Sequence, residues 1–472
     1  MSEKKLLFNN TIIIFISRIF TQFISFILLP FYTTYLDNGS YGIIDLINTY
    51  ISLLVPIVTI QLENAVFRYL VDSRNNFDDT KKIISISFKI IIKMILIFIL
   101  ISLILSMFIK INYLYLILLN IILVIFSHLL LQTTRGLGDI KKYSYTSCLI
   151  GIITIVLNIV LILFMHMKVE AILISNIVSN FIGCMYLFIK LNLNKYIDFK
   201  IKDNKLKKEL VSYSIPLIPN NISWWIFTVS DRTIISLFLG VTYNGLYAVS
   251  NKFSNLIITL FGIFELAWVE STSKNIKKNN KEEYFSDVIN VVLKFTLSLC
   301  IVLILVLPLV FDYLINSSFS NSYMYIPILV ISSIFSVASS LYSGIYIALK
   351  KTKDIMHTSI VAAILNIIIN VLFIRFFGLF AASISTLISY IVMFILRYYD
   401  LKNYITINYD INILKFIALL IISIFIYYIK RFIFSVVLLV LILFVLYRYL
   451  NNDLKTYKNY VLINLTKKFK KI

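Results

Sequence analysis

Apolar runs of roughly 20 residues, each long enough at 1.5 Å per helical residue for a hydrocarbon core about 30 Å thick, recur from end to end of the chain. Short polar breaks rich in Lys and Asn separate them. The pattern predicts fourteen spans, centred roughly on residues 8–35, 41–67, 83–109, 112–134, 143–165, 169–190, 211–239, 245–270, 288–311, 324–348, 357–377, 379–399, 412–429 and 432–449. The expected fold class is therefore all-α, a polytopic membrane protein with about 14 transmembrane helices. Composition agrees. The 472 residues are 60% hydrophobic and 14% charged, against about 45–50% apolar and about 25% charged in soluble domains.

A formal charge of +21 raises the question of nucleic acid, but topology accounts for it. With the amino terminus inside, the cytoplasmic segments collect 32 Lys and Arg and the outer ones 5. A wrong span count would scramble that alternation, so the bias supports both count and orientation. The expected location is a bacterial plasma membrane with both termini cytoplasmic, the surplus charge meeting anionic membrane lipids rather than nucleic acid. The first apolar segment contains Arg18 and Pro30 and lacks a small-residue cleavage site, so it is read as a span and not a cleaved leader. Cys148, Cys184 and Cys300 all fall inside spans, with neither a disulfide framework nor metal spacing.

Two stretches repeat. "YLDNGSYGIIDLINTY" from Tyr35 aligns with "FLGVTYNGLYAVSNKF" from Phe238 at an offset of 203, matching Leu36 with Leu239, Gly42 with Gly245 and Asn48 with Asn251. "EAILISNIVSN" from Glu170 aligns with "FAASISTLISY" from Phe380 at an offset of 210. Spans 1–6 are thus expected to be duplicated as spans 7–12, both copies inserted the same way up, with the substrate path between them. The expected organisation is a six-helix bundle over 1–192, a basic cytoplasmic linker over 193–210 and a second bundle over 211–402. Two added helices over 403–450 and a basic tail over 451–472 complete it. Small residues four apart in spans 6, 11 and 12 favour close helix packing over ligand contact.

Charge inside spans is expensive and points to function. Asp231 and Arg232 stand side by side in span 7, about 12 Å below its outer edge. Asp231 is open between a structural ion pair and a coupling role; Arg232 is expected to face a wet lumen. Arg18 in span 1 and Lys252 in span 8 are further lumen candidates, and Lys89 and Lys93 read as interfacial anchors. His128 on span 4 is open between packing and proton relay. Glu63 near the inner end of span 2 is a candidate for coupling or for lining the mouth, and Arg68 beside it, with Glu265 and Glu270 near the inner end of span 8, are candidates for a gate at the mouth. Pro30, Pro216 and Pro219 are candidate hinges, since each removes a backbone donor. Basic groups converging on a cavity at mid-membrane suit an anionic substrate, and the planar fork of Arg suits phosphate.

"YSIPLIPNNISWWIFTVSDRTIISLFLG" followed by "YNGLYAVSNKF", with "YLDNGSYGIIDL" after span 1, resembles the Wzx-type polysaccharide flippase branch of the multidrug/oligosaccharidyl-lipid/polysaccharide exporter superfamily. The likeness covers nearly the whole chain. It implies two six-helix bundles in a V shape plus two C-terminal helices. The implied activity moves an undecaprenyl-pyrophosphate-linked oligosaccharide from inner to outer leaflet by alternating access, for surface polysaccharide assembly in the cell envelope. Arg18, Arg232 and Lys252 would then meet the pyrophosphate. The resemblance also implies coupling to a proton or ion gradient, no other cofactor, and work beside the glycan polymerase and glycosyltransferases of the same pathway. Where many members carry a proline after span 8, this chain has Glu270. The alternatives are a lipid II flippase or drug exporter of the same superfamily or, in another class, a membrane glycan polymerase or acyltransferase. The sequence has no Walker-type phosphate loop, and its longest outer loop, "DYLINSSFSNSY", is short for an enzyme. The expectation is a transporter, not an enzyme.

Overall fold

The computed structural model describes residues 26–74 and 76–429, with 436–437 and 439–440. Helices joined by short turns make up the fold, with no strand among the described residues. The first helix, α1, is Phe26–Tyr35. It is followed by α2 (Asn38–Val58), α3 (Leu62–Ser73), α4 (Phe77–Phe108), α5 (Leu114–Gly136), α6 (Ile140–Leu163), α7 (Val169–Lys190) and α8 (Asn204–Ser214). Then come α9 (Leu217–Phe238), α10 (Val241–Asn275), α11 (Lys281–Leu314), α12 (Ile326–Ala348), α13 (Thr352–Phe377), α14 (Leu379–Leu401) and α15 (Asn412–Ile429).

Eleven helices among the described residues are long and apolar enough to cross a membrane, and they coincide with expected spans 2–6 and 8–13. Most of span 1 and nearly all of span 14 lie outside the described residues. Span 7 is α9, whose 22 residues give the length, while Asn220, Asn221, Asp231 and Arg232 lower its hydropathy.

The second span differs from its expected course over 41–67. Helix α2 stops at Val58, and Ile60 and Gln61 take left-handed backbone angles, φ 48° and 58°, a costly state for a β-branched Ile. The break is stitched by the Gln61 amide, which donates to the Pro56 carbonyl at 3.2 Å and to Thr59 Oγ1 at 3.2 Å. Proline, with no N–H, weakens the last turn, and the chain restarts as α3.

The chain divides into two compact units, Met1–Ala248 and Val249–Ile472. In the first, α7 packs along α5 and α6, α3 along α5, and α9 along α2. In the second, α14 packs along α12 and α13, and α15 lies on α11. Two tyrosines fasten α15: the Tyr323 and Tyr427 rings stack 4.0 Å apart, and each hydroxyl donates to the other's carbonyl, at 2.9 and 2.7 Å. Trp268 sits on Gly344, where a Cβ would come within 2.6 Å of its ring, and its Nε1 donates to the Leu341 carbonyl at 2.8 Å.

Each unit carries a non-helical strap laid along a long helix, extended over 405–410 in the second unit and turned at 199–200 in the first. In the second unit, side chains every fourth residue on α11 engage alternate residues of 406–410. Glu282 accepts from the Thr406 amide (3.1 Å) and Ser286 from the Asn408 amide (3.0 Å). Asn290 donates to the Asn408 carbonyl (2.8 Å) and accepts from the Asp410 amide (3.1 Å), while Lys294 pairs with Asp410 at 2.5 Å. The registers match because four helical residues rise about 6 Å and two extended residues span about 6.6 Å. In the first unit Lys81, Ser85 and Lys89, again four apart on α4, hold residues 196–201. Ser85 Oγ donates to the Tyr196 carbonyl (2.7 Å) and accepts from the Asp198 amide (2.9 Å), Lys81 pairs with Asp198 (3.2 Å), and Lys89 reaches the Ile201 carbonyl (2.5 Å).

Candidate functional site

The two repeated turns meet each other. Asp37 caps α2, its carboxylate accepting from the Ser40 amide at 3.1 Å, and Gly240 at φ +101° turns the chain from α9 into α10. Where the starts of α2 and α10 cross, a Cβ on Gly42 would stand 2.1 Å from the Val241 carbonyl oxygen, and a Cβ on Gly245 would stand 2.1 Å from that of Asn38. Both pairs differ by 203 residues, the offset of the sequence repeat. The contact is therefore reciprocal: each glycine faces the carbonyl four residues before its counterpart. Only hydrogen at both positions lets the backbones approach this closely.

One to two turns from this crossing lies the charge pair. Arg232 Nε on α9 donates to Asp45 Oδ2 on α2 at 2.7 Å, with side chains 11% and 19% exposed. Asn244 on α10 reaches the same carboxylate oxygen at 3.4 Å and also donates to the Gly42 carbonyl at 3.0 Å. The ion pair and the glycine crossing thus share one amide. Asp231, 3% exposed, accepts from the Tyr247 hydroxyl at 2.9 Å. Further along, Trp225 Nε1 donates to the Thr49 carbonyl at 2.9 Å, and the Tyr50 and Thr233 hydroxyls lie 3.2 Å apart. Three helices are stitched at membrane depth by groups that hydrocarbon alone would not tolerate.

The structure brings Arg232 and Asp231 into this junction and places the other expected residues elsewhere. Arg18 lies outside the described residues. Lys252 is half-buried in the part of α10 that belongs to the second unit. Glu63, 7% exposed in the first turn of α3, has an oxygen, Oε2, with no hydrogen-bond partner; about 20 Å of α2 separates Asp45 from the break beside it. His128 is exposed on α5. Arg68 pairs with Asp72 at 2.5 Å on an exposed face, and Glu270 pairs with Lys274, one turn on. Glu265 is half-buried. The Pro30 carbonyl in α1 accepts from the hydroxyls of Thr33 (3.1 Å) and Thr34 (2.8 Å). Pro216 immediately precedes α9 and Pro219 lies in its first turn. Among the described residues no group of three His, Cys, Asp or Glu could hold a metal.

Two residues escaped the sequence reading. Asp45 sits inside the quoted turn, and an acid inside a span was the signal that could have singled it out as a partner for Arg232. Arg397, one of the 32 basic residues assigned to the cytoplasmic side at the inner end of span 12, is fully buried in α14. Its Nε donates to Thr358 Oγ1 (3.0 Å), Nη1 to the Ser339 carbonyl (2.8 Å) and Ser343 Oγ (2.7 Å), and Nη2 to Ser359 Oγ (2.9 Å) and the Ile355 carbonyl (3.5 Å).

The model of a family described as "Polysaccharide biosynthesis protein" matches residues 7–269. No curated protein matches the chain. Among solved structures, a lipid II flippase MurJ in an inward closed conformation is similar at TM-score 0.69 and 17% identity, over 95% of this chain and 99% of that one. An inward-facing multidrug resistance MATE family transporter of the MOP superfamily is similar at TM-score 0.66 and 12% identity, over 81% and 95%. A MOP superfamily transporter from Pyrococcus furiosus is similar at TM-score 0.54 and 12% identity, over 84% and 96%. At these identities the likeness shows the fold.

Proposed function

The chain belongs to the polysaccharide biosynthesis protein family and has the helical fold of MOP-superfamily transporters, and on that premise we propose that it is a flippase for an undecaprenyl-pyrophosphate-linked oligosaccharide. The head group passes from the inner to the outer leaflet of a bacterial plasma membrane while the prenyl tail stays in lipid.

The observation that carries this reading is the Arg232–Asp45 pair tied through Asn244 to the glycine crossing. A guanidinium at membrane depth needs its donors satisfied, and Asp45 supplies Arg232 with an anion. A diphosphate offers the same two-oxygen fork with more charge, so it competes with Asp45 for Arg232. Losing the pair removes one hold on Asn244 and loosens the crossing of α2 and α10. In the orientation set by the basic residues that crossing is at the outer end, so substrate capture and outer opening become one event. Arg18 and Lys252 are the further candidate cations for the substrate, and Arg68, Glu265 and Glu270 the candidates for a gate.

For energy coupling the proposal rests on Glu63. A buried carboxyl with an unpartnered oxygen at a strained helix break is suited to take up a proton or monovalent cation and to reset the break on release. Asp231 and His128 are the lesser candidates.

Alanine at Arg18 and Arg232 together should abolish surface-glycan export with protein levels unchanged; normal export would refute the lumen assignment. Flux of a labelled lipid-linked sugar in liposomes, run beside lipid II and a cationic drug, separates the three substrate classes. It also separates transport from polymerase or acyltransferase activity, which would leave a modified product.

A further inference from the structure

The two straps are held in the same way but differ in what flanks them, and the first, together with α8 that follows it, is an unassigned interaction surface. Pinning 196–201 to α4 turns Asp198 inward to Lys81 and leaves the rest of the segment facing out. Phe199 is 59% exposed, and Lys195, Lys200, Lys202, Lys205, Lys207 and Lys208 are all exposed along the strap and α8. None of these six lysines forms an ion pair among the described residues. Of the three acids in the same stretch, Asp198 is taken by Lys81, Asp203 caps α8 by accepting from the Leu206 amide, and Glu209 is exposed. Residues 405–411 of the second strap contain no lysine at all, and their acid is already paired with Lys294.

Position along α4 identifies what the lysines meet. The strap is held as far as Lys89, and the band of exposed apolar side chains on the same helix begins at Leu96 and Ile97, about 10 Å further on. Counted back from the outer end of α4 at Phe108, the roughly 20 residues needed to cross about 30 Å of hydrocarbon reach Lys89. The strap therefore begins at the headgroup layer, about 5–8 Å deep. An aromatic ring among lysines at this depth inserts its apolar body while the ammonium groups stay with the headgroups.

We propose that the first strap and α8 form a docking surface for anionic phospholipid headgroups, with Phe199 seated at the acyl boundary. The neutral second strap makes no such contact. The surface fixes the height and tilt of the first unit in the leaflet and concentrates acidic lipid beside it.

The test uses the full-length protein extracted from mixed phosphatidylglycerol/phosphatidylcholine bilayers into polymer-bounded discs, with the co-extracted lipid quantified. The wild type should be enriched in phosphatidylglycerol, and 0.5 M salt during equilibration, with a Debye length of about 4 Å, should erase the enrichment. Lys200→Ser/Lys202→Ser/Lys205→Ser/Lys207→Ser should lower it about fivefold, whereas Lys350→Ser/Lys353→Ser, an exposed basic pair in the second unit, should not. Phe199→Ser should weaken retention without removing the preference for the anionic lipid. Undiminished enrichment in the quadruple variant overturns the proposal. So does displacement of the lipid by equimolar inorganic diphosphate, which would make the strap a substrate port. Transport by the quadruple variant in purely neutral liposomes separates failure of this proposal from failure of the flippase reading.

Discussion

Arg232 and Arg397 are both buried guanidinium groups, one in each unit, and they are held in contrasting ways. Arg232 is paired with a carboxylate, Asp45, from a neighbouring helix. Arg397 has no carboxylate in hydrogen-bond contact among the described residues; three hydroxyls and two carbonyls take its donors. A guanidinium neutralised by one anion can exchange it for another. One solvated by neutral dipoles from α12 and α13 has no hydrogen-bonded anion to exchange and serves to bind those two helices to α14. Burial alone therefore does not mark a transport residue; the nature of the partner does.

The largest break in this comparison is Arg397→Leu. It strands the acceptors of two helices, α12 and α13, and should cost about 3–5 kcal/mol, so the protein should fail to accumulate in membranes. Arg397→Lys, with fewer donors and no fork, should accumulate but melt earlier. Arg232→Ala should do the reverse, abolishing flux of lipid-linked sugar while most protein remains folded. Replacing both members, Asp45→Asn with Arg232→Gln, should restore stability but not transport, as removal of a whole pair costs less than removal of one partner. A smaller effect is expected from Gly42→Ala: its methyl meets the Val241 carbonyl, forces α2 and α10 apart at about 1–3 kcal/mol, and should raise labelling of a cysteine placed at Asn38.

The smallest effect is one of pH. The ammonium of Lys168, 2.7 Å away, and Ser40 hold the Asp37 carboxyl well below the usual carboxylate range. A depressed folded value means the contribution is complete above the unfolded value of about 3.9 and is lost as pH falls through the folded one. Melting between pH 5 and 8 should ignore this pair. Asp37→Asn should remove only a small acid-side decline, because the pair is exposed and screened.

Much of this was legible in the chain itself. Eleven apolar helices stand where hydropathy put them, since in lipid nearly every backbone group is satisfied within its own helix. Gly42 and Gly245 were visible as matched positions, though their mutual contact was not. What escaped is tertiary. The break at Ile60–Gln61 carries no glycine, and Pro56 announces a bend without its direction. Arg397 lies one turn from the end of α14 and looks like any loop cation until α12 and α13 surround it. On α11, Glu282, Ser286, Asn290 and Lys294 form a polar stripe at helical spacing, but their mate lies over a hundred residues away.

The self-complementary meeting of the two turns has a consequence for how the copies can drift apart. Neither glycine can gain a side chain without striking the main chain of the other copy, so each enforces smallness on its twin, as in a symmetric dimer. One turn along, the matched positions differ: Asp45 on α2 and Ala248, at the same offset of 203, on α10. The tightest point of the contact thus holds both turns to glycine, and the asymmetric chemistry sits one turn away, where the constraint has ended.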